Sequence, residues 1–184
     1  MANVASNVSA GKPNTTGAIW VAPKGSTLPT DTATALDVAF KCLGYCSDDG
    51  LTNTTDLESE TIKAWGGDTV LTIQTSKEDR FGFTLIEVLN EDVLKFVFGS
   101  SNVSGTLSTG LTVTANNSDV EETALVIDMI MRDNTAKRIV IPDCKISEFG
   151  DLTYSDSEAV GYELTVTCMP DSSGNTHYEY IKSA

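Results

Sequence analysis

The sequence predicts a mainly β fold: an antiparallel β-sandwich or partly open β-barrel of about eight strands, with one short packed α-helix. Two observations support this class. Apolar and polar residues alternate with a period of two in several short segments, which is typical of strands with one buried face. Residues 91–98 instead place their apolar side chains at helical spacing. With 184 residues, of which 40% are hydrophobic and 21% charged, the chain is expected to form one ordinary core.

The N-terminal segment differs from the rest in composition. Residues 1–16 are mostly Ser, Asn, Thr, Gly and Ala, which bury little apolar surface, so we expect a flexible N-terminal arm. Residues 17–184 are then a single domain. Its first predicted strands are residues 17–22 and 36–45, with a polar loop over residues 26–34 between them. Trp20 is expected in the core.

Residues 58–99 carry the strongest local pattern. Residues 68–75 and 81–89 predict two strands, and the polar residues 76–79 predict the hairpin connection between them. Asn90 is placed to cap a helix over residues 91–98, and Gly99 to end it. The helix is expected to pack on the sheet through an apolar stripe of Val93, Leu94, Val97 and Phe98.

The second half of the chain predicts further strands at residues 111–114, 123–132, 137–141, 144–149, 160–169 and 176–181. Pro142 has no backbone N–H to donate, so we expect it at an edge or a bulge. In the last long strand, alternation predicts a core face of Tyr162, Leu164, Val166 and Cys168.

Residues 44–65 predict a long interaction loop. The segment is polar and only weakly periodic, and loops of this length are usually functional. From the residues alone, a disordered surface segment is an equally good interpretation. Gly66 and Gly67 lack the Lys-Ser/Thr pair and following helix of a phosphate-binding loop, so we interpret them as a bend or bulge.

The charge is strongly acidic. The chain carries 26 acidic and 12 basic residues, a net charge of −14, and shows no basic stripe. Nucleic-acid binding needs clustered Lys and Arg, so this class is excluded, and solubility is the simplest interpretation of the acid. No apolar run approaches the roughly 20 residues of a membrane helix, and the N-terminus resembles no targeting signal. The chain is therefore expected to fold in the cytosol.

No motif for catalysis is present. His177 is the only histidine, and the sequence lacks nucleophile-elbow, zinc-protease, phosphate-loop and dinucleotide motifs. We therefore expect no enzymatic activity and no cofactor. The cysteines lie in no common zinc spacing, and we expect free, partly buried thiols at Cys42, Cys46, Cys144 and Cys168.

An ordered series of motifs resembles the major tail tube proteins of long-tailed bacteriophages. The series covers residues 40–181 and comprises LGYCSDDGLT, KAWGG, TLIEVLNEDVLKFVFG, KRIVIPDCKISEFGDLTYSDSEAVGYELTV and DSSGNTHYEYI. The resemblance implies a structural virion protein whose hexameric rings stack into the tube through which phage DNA is ejected. It also implies assembly in the host cytoplasm, without membrane or cofactor. A contractile-tail tube or a tail-like bacteriocin tube would share much of this architecture.

The resemblance implies partners as well. The main partner is the protein itself, and the others are the tape measure, tail tip and terminator proteins. DNA passes through the tube without specific binding. The alternative function is a monomeric β-sandwich that serves as a binding or decoration domain on a virion or cell surface. Self-association separates the two, because a tube subunit has open sheet edges that its neighbours pair.

Two groups of site residues follow from the resemblance. The 44–65 segment is expected to reach the neighbouring ring, through Asp48, Asp49, Asn53, Thr54, Asp56, Glu58, Glu60 and Trp65. Candidate lumen-lining residues are Glu163, Thr165, Thr167 and Asp128. Glu163 shares the polar face of its strand with Thr165 and Thr167. Asp128 interrupts an apolar face and is equally expected as a buried partner of Arg132.

Overall fold

The computed structural model describes residues 3–183, which form eleven β-strands, one α-helix and short 3-10 turns. The strands are β1 (Lys12–Pro13), β2 (Ile19–Pro23), β3 (Lys41–Cys42), β4 (Cys46–Lys63), β5 (Thr69–Leu85), β6 (Val103–Thr106), β7 (Gly110–Val113), β8 (Thr123–Ile130), β9 (Ala136–Phe149), β10 (Tyr162–Cys168) and β11 (Tyr178–Lys182). The helix α1 is Glu91–Phe98. The predicted class, a mainly β antiparallel fold with one short helix, is confirmed. The structure has eleven strands rather than about eight, and β1, β4 and β6 were not predicted as strands.

Nine of these strands form one antiparallel sheet. Its main path runs β3-β2-β8-β9-β10-β5-β4, while β1 pairs with β8 and β11 pairs with β9. Strands β6 and β7 form a separate hairpin. One edge of β9 pairs with β8, and the other pairs first with β11 and then with β10. Strand β9 is therefore the central strand of this sheet.

Pro142 lies at the irregular point of β9. The register between β8 and β9 shifts there, since Thr123 pairs with Cys144 whereas Leu125 pairs with Ile141. On the other edge of β9, pairing with β11 stops at Val140 and pairing with β10 starts at Cys144. A residue without an N–H fits this gap. The predicted bulge at Pro142 is confirmed.

The larger core cluster lies on the face of the sheet that carries the helix. Strands β5, β9 and β10 contribute alternate residues to it, which gives β10 the predicted inward-facing Leu164, Val166 and Cys168. The side chain of Asn90 accepts a hydrogen bond from the N–H of Asp92 at 3.0 Å, and Gly99 ends the helix with a φ of 92°. Both predicted helix ends are confirmed.

The helix buries a slightly different stripe from the predicted one. Val93, Leu94 and Val97 are buried as expected, together with Phe96. Phe98 is only partly buried, and its ring packs edge-on against Tyr162 at a centroid distance of 5.8 Å.

A second, smaller cluster lies on the opposite face, where residues 24–40 cover the sheet. It contains Ala22, Phe40, Ala124, Val126 and Val140, and Trp20 is only partly buried against it. The segment is held down by Arg138, which donates to the Asp31 and Thr34 carbonyls at 3.1 and 2.7 Å. Arg138 also donates to both carboxylate oxygens of Asp128, at 2.6 and 3.0 Å.

The predicted partner of Asp128 is therefore wrong. Asp128 and Arg138 face each other across β8 and β9, and both side chains are nearly buried. Arg132 lies past the end of β8 in a 3-10 turn, where its exposed side chain is 3.6 Å from Asp133. Cross-strand register, which the sequence does not display, decides the pairing.

Two predictions about the middle of the chain are also wrong. Residues 76–79 do not form a turn, because β5 continues from Thr69 to Leu85 and the chain reverses at residues 64–68. Gly66 and Gly67 have φ values of 114° and 100°, which suit glycine at this reversal. Residues 44–65 are mostly the strand β4 rather than a loop. Polar residues fit these strands because both faces of the outer hairpin meet solvent.

Smaller differences lie at the ends of elements. The strand predicted at residues 36–45 reduces to Lys41–Cys42, and the one predicted at 81–89 ends at Leu85. The predicted arm contains a short strand, Lys12–Pro13, paired with β8, so part of it joins the sheet. Residues 1, 2 and 184, which the predictions include, lie outside the described residues.

The Asp128–Arg138 pair gives a prediction about stability. Asp128→Asn removes the charge opposite Arg138 and leaves a buried guanidinium without a counter-charge, so we expect unfolding to cost about 3–5 kcal/mol less. Asp133→Asn is the matched control, because it removes an exposed partner of Arg132 and Asn tolerates the φ of 55° at this position. We expect the control to stay within about 0.5 kcal/mol. Urea unfolding measures both, and equal effects would contradict the role assigned to Arg138.

Candidate assembly surface

The hairpin of β4 and β5 extends beyond the body of the protein. Strand β10 pairs with β5 only as far as Arg80, whereas β4 pairs with β5 out to Lys63 and Thr69. Between the pairs Thr55–Asp79 and Lys63–Thr69, the hairpin spans about 25 Å at roughly 3.3 Å per residue. We call residues 55–79 the ribbon. A two-stranded hairpin alone is marginally stable in water.

The ribbon exposes a concentration of large apolar side chains. They are Leu57, Ile62, Trp65, Val70, Leu71 and Ile73, and Trp65 at the tip is fully exposed. Ile62 pairs directly with Leu71, and Glu60 pairs with Ile73, so three of these side chains share one face. Clustered exposed apolar residues on a protein surface indicate an interaction site.

The structure brings most of the predicted inter-ring residues onto this hairpin. Asp56, Glu58 and Glu60 follow one face and Trp65 occupies the tip. Asn53 and Thr54 lie at its base, where the Asn53 amide donates to the Arg80 carbonyl at 3.4 Å. Asp48 and Asp49 lie at the irregular start of β4, between Cys46 and Leu51. For all eight predicted residues, contact with a neighbouring ring remains a prediction.

One arginine on the outward face of the hairpin base is surrounded by acid. The Arg80 guanidinium lies 2.5 Å from Glu78, 3.7 Å from Glu148 and 3.8 Å from Asp56. All of these side chains are at least a third exposed, so the ion pairs contribute little to stability. Their effect is to keep this face acidic despite its arginine.

The opposite, inward face of the hairpin base holds a buried carboxylate, Asp79. Only 1% of Asp79 is exposed. It accepts hydrogen bonds from the Thr55 hydroxyl at 2.6 Å and from the Thr176 hydroxyl. His177 Nδ1 lies 3.7 Å away and Lys77 Nζ 3.9 Å away. Burial by itself raises the pKa of Asp79, but the two hydroxyls and the two basic groups outweigh it, so the pKa lies below its usual value.

Sequence reasoning missed Asp79 because the polar run at residues 76–79 was interpreted as a turn. The available signal was its position two residues before Phe81, which places both side chains on the core face of one strand. The partner Thr176 is 97 positions away and could not be inferred.

The predicted lumen residues of β10 share one polar face. Glu163 is exposed, and Thr165 and Thr167 are partly buried, on the face opposite the core. The Thr167 hydroxyl donates to Ser147 Oγ at 2.9 Å, and Ser147 donates to the Thr165 carbonyl at 3.2 Å. Their shared face is confirmed, and their place in a lumen remains a prediction.

Asp128 lies apart from the other lumen candidates. Its carboxylate contacts Arg138 beneath residues 24–40, so Asp128 is one half of a buried ion pair. This was the alternative role considered from the sequence, with a different arginine.

The cysteines are not arranged for chemistry. Cys144 and Cys168 are buried opposite each other on β9 and β10, while Cys42 and Cys46 are partly buried. Burial raises the pKa of Cys144 to about 12 and that of Cys46 to about 11, so these thiols stay protonated near neutral pH. Within residues 3–183, no cluster of three or more His, Cys, Asp or Glu side chains could hold a metal ion.

No helix in the described part of the chain has the length and apolar character needed to cross a membrane.

Comparison with known proteins gives one match to a family. A family model described as phage tail tube protein matches residues 4–184. No curated protein sequence matches the chain. Among solved structures, the chain is similar to the cryo-EM structure of the anti-feeding prophage cap, the tube-terminating cap, with 8% identity, a TM-score of 0.45 and 100% of each chain covered. The family match thus leaves out only the first three residues.

The buried Asp79 gives a prediction about pH. Its lowered pKa means that ionised Asp79 stabilises the folded state, fully at pH values above the unfolded pKa of about 3.9 and progressively less as the pH falls through the folded value. The difference in unfolding free energy between wild type and Asp79→Asn should therefore shrink as the pH falls from about 5 to below about 4. Urea unfolding of both proteins between pH 2.5 and 7 measures it. A difference that stays constant to the lowest pH would contradict a stabilising charge at this position.

Proposed function

Because the chain belongs to the phage tail tube protein family, we propose that six copies close into a ring and that the rings stack into a DNA-conducting tube. Membership makes the protein a structural component of a phage tail, not an enzyme. The ring number, the stacking and the passage of DNA are the proposal.

The projecting ribbon is the observation that supports self-assembly most. Within residues 3–183, β4 pairs only with β5, and residues 69–79 of β5 pair only with β4. Both outer edges of the ribbon are therefore unpaired backbone, and its faces carry exposed apolar side chains. A protein that works as a monomer must protect such edges, whereas a subunit can leave them for its neighbours.

We assign the contact between rings to this hairpin and its base. Asp56, Glu58, Glu60 and Trp65 extend along the ribbon, and Asn53 and Thr54 begin it. Asp48 and Asp49 would contribute from the irregular start of β4. This keeps the role predicted for residues 44–65 but gives it to a preformed hairpin instead of a loop.

We assign the lumen to the polar face of β10. Glu163, Thr165 and Thr167 present a carboxylate and hydroxyls, and Glu148 and Glu78 add acid on the neighbouring strands. Carboxylates repel phosphates, so DNA would pass without binding. The tape measure protein would fill the same channel before ejection, and the terminator and tail tip proteins would close its two ends.

Removing the ribbon tests the assembly role. Replacing residues 59–75 by Asn-Gly joins the paired residues Glu58 and Ser76 through a two-residue turn. The body loses few buried contacts, so we expect the melting temperature to change by less than about 3 °C, under about 1 kcal/mol. Tube growth, followed by negative-stain electron microscopy and sedimentation, should be abolished.

Single substitutions make the test sharper. Ile73→Ser on the ribbon should impair tube growth, and Leu107→Ser, an exposed apolar residue outside the ribbon, should not. If the shortened protein forms normal tubes, the ribbon is not the assembly surface. If the full chain remains a monomer under every condition, including beside tail-tip complexes, a decoration domain becomes the better function.

The lumen assignment predicts a charge effect on ejection. Glu163→Lys should allow tubes of normal length but slow DNA ejection, because a lysine in the channel attracts phosphates. Added salt should relieve the defect, since the screening length falls from about 10 Å at 0.1 M to about 3 Å at 1 M. Glu158→Lys makes the same charge change in the exposed segment between β9 and β10 and serves as the control. Unchanged ejection by the Glu163 variant at low salt would place this residue on the outer wall.

A further inference from the structure

The direction in which the ribbon projects depends on a few contacts at its base. Beyond Arg80 the ribbon has no strand partner from the body within the described residues. A lever about 25 Å long moves its tip by roughly 4 Å for each 10° of rotation at the base. An assembly contact at the tip therefore requires a well-fixed base.

The two faces of the base differ in how firmly they are held. On the outward face, Arg80 reaches Glu148 of β9 at 3.7 Å, through side chains that are 33% and 63% exposed. Such an exposed pair constrains little. On the inward face, Asp79 is buried and accepts two hydroxyl hydrogen bonds, one from each side of the junction. Thr55 belongs to the ribbon, and Thr176 belongs to the body.

The body side of this contact is itself ordered. Asp171 accepts hydrogen bonds from the N–H groups of Ser173 and Asn175, at 2.8 and 3.0 Å, and from the Tyr178 hydroxyl at 2.6 Å. Tyr178 begins β11, which pairs with β9. Residues 171–175 are therefore closed into a turn that presents Thr176 from a fixed place on the central strand.

An aromatic contact extends the junction toward the core. The His177 ring packs edge-on against Phe81 at a centroid distance of 5.4 Å, and Phe81 is fully buried. Residues 176–177 thus touch two successive core-facing residues of β5, one on each side of the point where β10 stops pairing. Rotation of the ribbon about this point would separate Asp79 from Thr176.

We propose that Asp79 is a positioning residue: held between Thr55 and Thr176, it fixes the direction of the ribbon and so presets the subunit for assembly. The second half of this inference rests on the proposed function, and the first half does not. Because a buried carboxylate that loses one hydroxyl donor keeps its desolvation cost, each threonine is needed. Without these hydrogen bonds to Asp79, the ribbon samples several directions and only a fraction of the subunits can dock.

The experiment separates the two halves. Dyes attached to azide-bearing residues introduced at the exposed positions of Trp65 and Val38 report the distance between ribbon tip and body by single-molecule energy transfer. Wild type should give one narrow distribution. Thr176→Val and Asp79→Asn should broaden this distance distribution. Thr176→Ser, which keeps the hydroxyl, and Glu148→Gln on the outward face should both give a distribution as narrow as that of wild type. The same variants without dyes are then compared for the critical concentration of tube growth.

The expected result is a critical concentration raised about tenfold or more by Thr176→Val, as when about a tenth of the subunits are competent. Thr176→Ser and Glu148→Gln should stay near wild type. A narrow distance distribution in both Thr176→Val and Asp79→Asn would show that Asp79 does not fix the direction of the ribbon. A broad distribution with unchanged tube growth overturns the role of Asp79 in assembly. If wild type forms no tubes at all, the proposed function fails, and energy transfer still decides whether Asp79 fixes the ribbon.

Discussion

The continuity of β5 is the constraint on which the other features depend. One uninterrupted strand is a core strand from Arg80 to Leu85, paired on both edges, and a solvent-exposed ribbon strand from Thr69 to Asp79. The direction of the outer half therefore depends on how β5 is held where the two halves meet, at Asp79 and Arg80. The rest of the sheet therefore holds the ribbon in position.

Buried charged side chains hold two connecting segments in place. Arg138 with Asp128 ties residues 24–40 to the sheet, and Asp79 ties residues 171–177 to the ribbon. Burying an ion pair often gains little net stability over an apolar pair. It does demand one geometry, because a displaced partner leaves an uncompensated buried group. In both places the buried charged group therefore restricts a connecting segment to one position.

The sequence predicted the elements whose determinants are local. The helix, its Asn90 cap, the bulge at Pro142 and the alternating faces of β10 depend on neighbouring residues, and all were recovered. Within the ribbon, residues 68–75 were predicted as a strand, but the rest was missed because alternation identifies a strand most clearly when one face is dry. Both faces of the ribbon are wet, so residues 76–79 and 44–65 looked like connections. Long-range partners such as Thr176 for Asp79 follow from register and topology, which residue patterns do not contain.

The charge of the protein restricts how its copies can attract one another. At −14, identical subunits repel, and several basic side chains already have acidic partners within the subunit, as Lys24, Arg80, Lys95 and Lys137 do. Pairing of opposite charges between copies is then a poor source of affinity. What the surface offers instead is unpaired strand edge and clustered apolar side chains, both on the ribbon. Electrostatic repulsion between subunits acts at longer range and is screened over about 8 Å at physiological salt. It therefore opposes the approach of two subunits but does not weaken these short-range contacts. If the ribbon is the assembly surface, as we propose, the direction in which each subunit presents it then determines how readily these short-range contacts form.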